Sequence, residues 1–191
     1  MSVLTDHQIR TLAETCKMIE PFSEGVQGNG IISYGLTSAG YDLRLGNEIL
    51  VYKNSYGQTI DPKRFKDPDY SEKMYERIHS SGAFIIPANG YILGSSLEYL
   101  RIPRNIKGRC VGKSTYARSA ILINTTPLEP GWEGYLTIEI GNISSCTAVV
   151  YIGEGIAQLE FEELASWVEK DYAQKDGKYQ NQTEVTPPRV L

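Results

Sequence analysis

The sequence of 191 residues has few cysteines and no long hydrophobic run. Its three cysteines, Cys16, Cys110 and Cys146, are odd in number and widely spaced, which fits reduced thiols rather than a disulfide framework. No apolar run approaches the roughly 18 residues of a membrane-spanning helix. The first residues also lack the basic start and apolar stretch of a secretory signal. We therefore expect a cytoplasmic protein with no membrane partner.

Histidine is equally scarce, and its scarcity excludes several kinds of active site. His7 and His79 lie in unrelated contexts, and neither stands in a motif beside a nucleophile, as a Ser–His–Asp or Cys–His site requires. The chain has no C-x-x-C and no H-x-E followed by P-C-x-x-C, which excludes a zinc deaminase of that signature. The segment GRCVGKST is not a P-loop, because three residues rather than four separate Gly108 from Gly112.

Positive charge is in slight deficit overall but is concentrated in one stretch. Lysine plus arginine number 19 against 23 aspartates plus glutamates, so the net charge of −4 argues against a nucleic-acid partner. No acidic residue occurs between positions 101 and 118, where six basic residues fall: Arg101, Arg104, Lys107, Arg109, Lys113 and Arg118. This local excess of positive charge in an acidic protein is a feature that needs an explanation.

The chain is expected to form a single domain over residues 1–191, because neither a repeat nor a composition shift marks a boundary. A short helix is predicted within residues 1–20. Thr5 can serve as its N-cap, and Gln8, three residues later, can complete a capping box. Helical periodicity should end before Pro21.

Alternation of apolar and polar residues predicts that strands make up most of the rest. Such alternation occurs in residues 41–52, 135–142 and 148–164, the last interrupted by a turn at Gly153–Gly155. With 18 glycines and many short runs, the pattern is typical of an all-β barrel or sandwich. Residues 52–80 are polar and predict a long excursion with one helical turn. The last twenty residues have almost no aliphatic content before Val185, so composition predicts a disordered tail.

The segment from Gly112 to Arg118 is a candidate anion site. A glycine followed by small hydroxyl residues offers free backbone N–H groups and hydroxyl donors, and Lys113 and Arg118 add positive charge. A polar turn with solvated cations explains the same residues equally well. Physical reasoning leaves both interpretations open.

Glu139 is a candidate proton-transfer group, because it interrupts an apolar strand. It lies between Ile138 and Ile140 and therefore faces away from their side of the sheet. An ordinary solvent-facing glutamate fits this position. A partly buried carboxylate that lines a cleft also fits, and burial would raise its pKa toward the range useful for moving protons.

Four segments, taken in order, resemble the motifs of the dCTP deaminases, members of the trimeric dUTPase-like superfamily. They are SAGYDLRLG (38–46), GKSTYAR (112–118), TTPLEPGWEGYLTIEIGN (125–142) and GEGIAQLEF (153–161), with a continuation in DGKYQNQ (176–182). The resemblance implies a distorted β-barrel or jelly roll that assembles as a homotrimer with sites between subunits. It also implies hydrolytic deamination of dCTP to dUTP and ammonia, with Mg²⁺ on the triphosphate, no metal ligand among the protein side chains, and no zinc.

The resemblance also assigns roles to individual residues. Glu139 matches the catalytic glutamate, which would take a proton from water and pass it toward the leaving amine, while Ser114 and Arg118 match residues that position water, glutamate and phosphates. Residues expected to bind the nucleotide are Lys113, Ser114, Thr115, Tyr116, Ala117, Arg118, Glu129, Thr137, Ile138, Glu139, Gln158, Tyr172, Lys178 and Gln182. Glu129 would lie near the deoxyribose, and Thr137 and Ile138 would present backbone to the pyrimidine. Residues 172–191 would close over the site as a lid, which revises the prediction of a disordered tail.

Two departures from the family pattern leave the subtype open. Lys113 stands where many relatives have arginine, and Thr126 and Pro127 stand where some carry His-Arg, so contacts of those side chains cannot be transferred. We favour a deaminase alone over a bifunctional enzyme that continues to dUMP and pyrophosphate. A plain dUTPase would typically lack a carboxylate at Glu139 and would carry a glycine-rich C-terminal motif. A non-enzymatic nucleotide-binding regulator would be expected to have lost Glu139, Ser114 or Arg118.

Overall fold

The computed structural model describes residues 2–53 and 59–190, which form a large curled antiparallel sheet, a small two-stranded sheet and short helices around them. The strands are β1 (Ser2–Val3), β2 (Ile19–Glu20), β3 (Val26–Gly28), β4 (Ile31–Thr37), β5 (Gly40–Tyr52), β6 (Tyr75–His79), β7 (Ala83–Ile86), β8 (Tyr91–Arg101), β9 (Ile106–Gly112), β10 (Ile121–Asn124), β11 (Glu133–Asn142), β12 (Ala148–Tyr151) and β13 (Gly155–Glu163). The helices are α1 (Asp6–Cys16), a 3₁₀ turn (Pro62–Lys66), α2 (Pro68–Met74) and α3 (Ser114–Ala117).

The sheet follows the order β1-β13-β5-β8-β11-β10, and the other strands branch from this path. Strand β5 pairs with β4 and β13 along its first half and with β6 and β8 along its second half, so the sheet bends around it. Strands β12 and β7 pair antiparallel in a separate two-stranded sheet. The predicted β-dominated fold with a short N-terminal helix is confirmed.

The main core lies inside the curl of the sheet, where alternate residues of each strand point. Along β11, Leu136, Ile138 and Ile140 are buried, whereas Thr137 and Glu139 are only half-buried on the opposite face. This alternation is the one that the sequence predicted, and it places Glu139 outside the main core.

Helix α1 begins where the capping-box pattern predicts. The backbone N–H of Thr5 donates to Oε1 of Gln8 at 3.0 Å, and the helix ends at Cys16, with Lys17 in the left-handed conformation after it. Ile9 and Ala13 bury the apolar face. The helix is thus shorter than the expected span of 1–20, because it ends at Cys16 and β2 begins two residues before Pro21.

The excursion at 52–80 has more regular structure than its composition predicted. Residues 59–79 contain the 3₁₀ turn, α2 and β6, and the aspartates Asp61 and Asp67 cap the two helical segments by accepting the N–H groups of Lys63 and Asp69. The prediction of a single helical turn is therefore wrong for this part. The residues from 54 to 58 lie outside the described part of the chain.

The C-terminal residues 164–190 pack against the sheet, in contrast to the disordered tail that composition predicted. Gln182 forms a parallel bridge with Gly134, and Val185 is fully buried. Hydrogen bonds to both backbone and side-chain groups of the sheet hold this segment in place, and composition does not predict them.

The concentrated basic residues of 101–118 are largely used inside the fold. Arg101 pairs with Glu20 at 2.8 Å, and Arg104 pairs with Asp171 at 2.8 Å. Lys107 and Arg109 stand opposite Glu162 and Glu160 across β9 and β13. Part of this positive charge is therefore compensated by negative charge of the same chain.

Candidate active site

A pocket of about 530 Å³ opens on the face of the sheet that carries Glu139. Six of the residues predicted to bind nucleotide line it: Glu129, Thr137, Glu139, Tyr172, Lys178 and Gln182. Strand β11 contributes Thr137 and Glu139, the loop before β11 contributes Glu129, and the C-terminal segment contributes the rest. The structure therefore brings residues together that lie up to 53 positions apart in the sequence.

Glu139 has the environment expected of a proton-transfer group. It lies opposite Asn124 in the β10–β11 pairing, and the Asn124 side-chain amide donates to its Oε2 at 3.4 Å. Burial raises the pKa of Glu139 to about 7, and the hydrogen bonds that it accepts oppose this shift without cancelling it. A carboxylate with such a pKa can both take and return a proton near neutral pH.

Aromatic side chains form much of the wall beside Glu139. Leu93 lies directly opposite Glu139 in the β8–β11 pairing, and Tyr91 lies on the same face two residues along. Burial, followed by the negative charge of Glu139, raises the pKa of the Tyr91 phenol to about 12. The other titratable side chains that line the pocket are Tyr75, Glu129, Tyr172, Lys178 and Tyr179.

The backbone of β11 is available on one side next to Glu139. Strand β10 ends at Asn124, which lies opposite Glu139. Thr137 and Ile138 come before Glu139 in β11, so they have β8 on one side and no β10 residue on the other. The Ile138 side chain itself is fully buried in the main core. Any contact of Ile138 with a ligand would therefore have to use its backbone, as the sequence comparison of motifs implied.

The C-terminal segment covers this open edge. Tyr135 N–H donates to the carbonyl of Gln182 at 2.9 Å, and Gln182 Nε2 donates to the Tyr135 carbonyl at 3.1 Å. Farther along, Thr186 N–H donates to Thr137 Oγ1 at 3.2 Å. The segment is thus hydrogen-bonded directly to the strand that carries Glu139.

Trp132 and Tyr172 fix the earlier part of the same segment. The indole N–H of Trp132 donates to the carbonyl of Tyr179 at 2.8 Å, and the Tyr172 hydroxyl accepts the N–H of Tyr179 at 3.2 Å. The Tyr172 ring lies so close to Gly177 that an added Cβ would meet it at 2.1 Å. A glycine at 177 is therefore required for the turn that presents Lys178.

The predicted phosphate loop lies elsewhere on the chain. Ser114, Thr115, Ala117 and Arg118 are exposed on and after α3, and none of them lines the pocket around Glu139. Arg118 has no carboxylate partner within residues 2–53 and 59–190. Its guanidinium is accordingly free to bind an anion from outside the chain.

Two members of the loop make internal contacts instead. Lys113 Nζ forms an ion pair with Asp42, and Gln158 stands opposite Asp42 in the β5–β13 pairing. The Tyr116 ring is buried, and its hydroxyl accepts the N–H of Tyr151 at 3.1 Å. Two predicted site residues, Lys113 and Gln158, therefore lie beside Asp42 in a second group, outside the pocket that contains Glu139.

Sequence reasoning missed Asn124, Tyr75, Tyr91 and Leu93, which contact or surround Glu139. Their position depends on strand register, which no local motif records.

Thr126 and Pro127, where some relatives carry His-Arg, line the pocket. In the described part of the chain, His, Cys, Asp and Glu side chains form no group of three that could hold a metal ion. None of the helices there has the length and apolar content that a membrane span requires.

Comparison with known proteins agrees with this architecture. The family model described as dCTP deaminase-like matches residues 3–164. The chain is 46% identical over 196 aligned positions to a dCTP deaminase of Chlamydia felis, and 44% identical over 190 positions to one of Herpetosiphon aurantiacus, with all of both chains covered in each case. The solved structure of 2′-deoxycytidine 5′-triphosphate deaminase from Agrobacterium tumefaciens has a TM-score of 0.61 at 20% identity, over 84% of this chain and about half (47%) of that one, and so shares the fold. The chain belongs to the dCTP deaminase-like family.

Proposed function

We propose that this protein hydrolyses dCTP to dUTP and ammonia, with Glu139 as the group that moves protons. The observation that carries the proposal is the half-buried Glu139 carboxylate, with a pKa of about 7, in a pocket beside the open backbone edge of β11. The full-length similarity to dCTP deaminases supports the choice of substrate.

The chemistry needs one base that can also act as an acid. Glu139 would take a proton from water while the water oxygen bonds to C4 of cytosine, and would deliver that proton to N3. It would then carry the proton of the new C4 hydroxyl to the amino nitrogen. The C4–N bond breaks, ammonia leaves, and C4 keeps the oxygen as a carbonyl, so Glu139 ends as the carboxylate that it was.

The pocket supplies groups for the rest of the nucleotide. The free edge of β11 at Thr137 and Ile138 can read the hydrogen-bonding edge of a pyrimidine, and Glu129 and Tyr172 can contact the sugar. Lys178 and Gln182 reach the pocket from the C-terminal segment. Covering by that segment would exclude bulk water and strengthen the electrostatic interactions within the site.

We further propose that the active protein is a homotrimer whose sites combine two chains. Ser114 and Arg118 are exposed and outside the pocket of their own chain, and Leu122, Ile143, Ile85, Val149 and Tyr151 are apolar or aromatic side chains that also stay exposed. A neighbouring copy that covers such apolar surface could bring its Arg118 and Ser114 to the Glu139 pocket. Arg118 would then bind the triphosphate through its planar fork of donors.

Complementation between two inactive variants tests this arrangement. Glu139→Gln and Arg118→Ala should each be inactive alone, whereas their co-assembled mixture should regain activity, because some sites then combine an intact Glu139 with an intact Arg118. Co-assembly of Glu139→Gln with the double variant Glu139→Gln/Arg118→Ala is the control and should remain inactive. A mixture that stays inactive although the chains co-assemble would contradict the shared site.

Magnesium would enter with the substrate in this account. The triphosphate oxygens would hold Mg²⁺, which would neutralise part of the phosphate charge and leave Arg118 to balance part of the remainder. Removal of the ion with EDTA should therefore lower kcat/KM, and added Mg²⁺ should restore it.

Cys16, Cys110 and Cys146 are free thiols, which fits work in the reducing cytosol.

Separation of the products identifies the reaction. Incubation with Mg²⁺ and dCTP should give dUTP, and dUMP with pyrophosphate would instead indicate the bifunctional type. If dCTP stays intact while added dUTP is consumed, the protein is a plain dUTPase. Binding of dCTP without any turnover would indicate a nucleotide-binding regulator.

A further inference from the structure

The excursion formed by residues 59–79 builds a second hydrophobic cluster, outside the main core. Its buried members are Leu50, Phe65, Tyr70, Met74, Tyr75, Leu93 and Val185. Four of them come from the excursion, two from β5 and β8, and Val185 comes from the C-terminal segment. Tyr75 and Leu93 also line the pocket that contains Glu139. The cluster is therefore continuous with the wall of the candidate active site.

Val185 is held in this cluster by its backbone as well as its side chain. Its N–H donates to Oε2 of Glu48 at 2.9 Å, and its carbonyl accepts from the Arg77 guanidinium at 3.3 Å. Glu48 and Arg77 form an ion pair with each other across β5 and β6, and Arg77 also lies 3.5 Å from Glu184. The backbone N–H and the carbonyl of Val185 are thus both hydrogen-bonded to the Glu48–Arg77 ion pair.

The residues on either side of Val185 are those that meet the strand carrying Glu139. Gln182 bonds to Tyr135, and Thr186 bonds to Thr137, whose side chain is on the same face as Glu139. Fixing Val185 therefore fixes the part of the tail that covers the pocket. Farther back, the Arg104–Asp171 ion pair fastens the start of the same segment.

We propose that Glu48 and Arg77, together with the second hydrophobic cluster, form a seat for Val185 that holds residues 182–186 over the pocket. Glu48 and Arg77 are positioning residues in this account, because they act through the tail and do not line the pocket. The inference rests on the proposed function for its kinetic consequence, but the seat itself does not depend on it. It gives residues 59–79 a role that their sequence did not reveal.

The seat should influence substrate binding more than the chemical step. When the seat is weakened, the tail is undocked in a larger fraction of the nucleotide-free protein. The apparent affinity for nucleotide then falls in proportion to the fraction of molecules whose tail is still docked. Saturating nucleotide that binds the docked form draws the tail back, so kcat is largely restored. A defect that merely unfolds part of the protein lowers kcat and leaves KM unchanged.

Hydrogen exchange and kinetics on two variants of the full chain test the seat. Arg77→Met removes the donor and the charge, and Val185→Ala weakens the apolar contact. Each should speed exchange of the Val185 and Thr186 amides in the nucleotide-free protein by about tenfold or more. Each should also raise KM for Mg²⁺–dCTP by about tenfold, with kcat within about twofold of the original.

Matched controls are available in the same two segments. Lys63→Met alters an exposed cation of the excursion, and Val190→Ala alters an exposed valine of the tail itself. Both should leave the exchange of Val185 and Thr186 and the KM unchanged. Unaltered exchange of these amides in Arg77→Met, or a fall in kcat at constant KM, would overturn the proposal. Because the exchange measurement uses no nucleotide, a failure of the proposed function would be seen separately.

Discussion

Asn124 and Glu139 face each other across the β10–β11 pair, and the Asn124 amide donates to the Glu139 carboxylate at 3.4 Å. This hydrogen bond favours the charged form of Glu139, whereas burial of the carboxylate favours the neutral form. Burial is the larger effect, and the balance holds the pKa of Glu139 at about 7. The register of the β10–β11 pair, which places Asn124 beside Glu139, therefore helps to set the pKa of the carboxylate on which the proposed chemistry depends.

Replacement of Asn124 should move the acidic limb of the pH profile upward. Loss of the hydrogen bond in Asn124→Ala raises the pKa of Glu139, so kcat/KM should fall about threefold at pH 6.5 and stay unchanged at pH 8.5. Asn124→Asp adds a negative charge beside the carboxylate and should move the limb further in the same direction. The profile of kcat/KM against pH for the three proteins measures this, and a limb that stays in place in both variants would exclude Asn124 from the tuning of Glu139.

Glu139 should make the free protein less stable at alkaline pH than a neutral residue would. Its folded pKa of about 7 lies above the ordinary value of 4.5, so its favourable contribution is complete below pH 4.5 and is lost as the pH rises through 7. Glu139→Gln should therefore raise the free energy of unfolding above pH 7, by on the order of 1 kcal/mol after allowing for solvent screening. The difference between the two proteins should shrink toward pH 4.5.

Urea unfolding at pH 8 and at pH 4.5 measures this difference without any substrate. Glu76→Gln, on an exposed position of β6, is the control and should show no such change with pH. A stability difference that is equal at both pH values would mean that burial does not raise the pKa of the Glu139 carboxyl group.

Much of the fold was readable from local patterns, because those patterns act locally. The capping box at Thr5 and Gln8 is satisfied by residues three positions apart, and the alternation around Ile138 reports which face of β11 is buried. The segment YERIH of β6 gave no such signal, since only Tyr75 in it is buried and its partner strand lies over twenty residues earlier. The role of the excursion therefore depends on pairing that the sequence does not display.

The candidate site was readable only through the family resemblance, and only in part. That resemblance indicated Glu139 and the C-terminal residues, which the structure brings into one pocket. It gave no indication of Asn124, whose importance follows from the β10–β11 register, or of Val185, whose burial follows from the excursion. Composition misjudged the tail, because one buried aliphatic residue and hydrogen bonds to backbone and side-chain groups of the sheet hold it in place.

Glu98 should be a major determinant of stability although it lies away from the pocket. Its side chain is fully buried, and its carboxylate accepts hydrogen bonds from the Arg44 side chain at 2.7 Å and the Arg44 backbone at 3.0 Å. Burial raises the pKa of Glu98 and the Arg44 charge opposes this. Glu98→Ala leaves Arg44 without its partner and should lower the free energy of unfolding by about 3–5 kcal/mol.

Urea unfolding of Glu98→Ala against Glu76→Ala measures this effect, since the control removes an exposed glutamate from β6, which also pairs with β5. A loss no larger than that of the control would show that the Glu98–Arg44 pair is replaceable by solvent.

The central claim is that Glu139 activates water for attack on C4 of dCTP. The most direct test measures dUTP and ammonia together, with Mg²⁺–dCTP as substrate, for the original protein and for Glu139→Gln, alongside dCTP binding by calorimetry. We expect equal amounts of dUTP and ammonia from the original protein, and a rate at least about a thousandfold lower for Glu139→Gln with dCTP binding retained. Turnover of Glu139→Gln near the original rate would contradict the account.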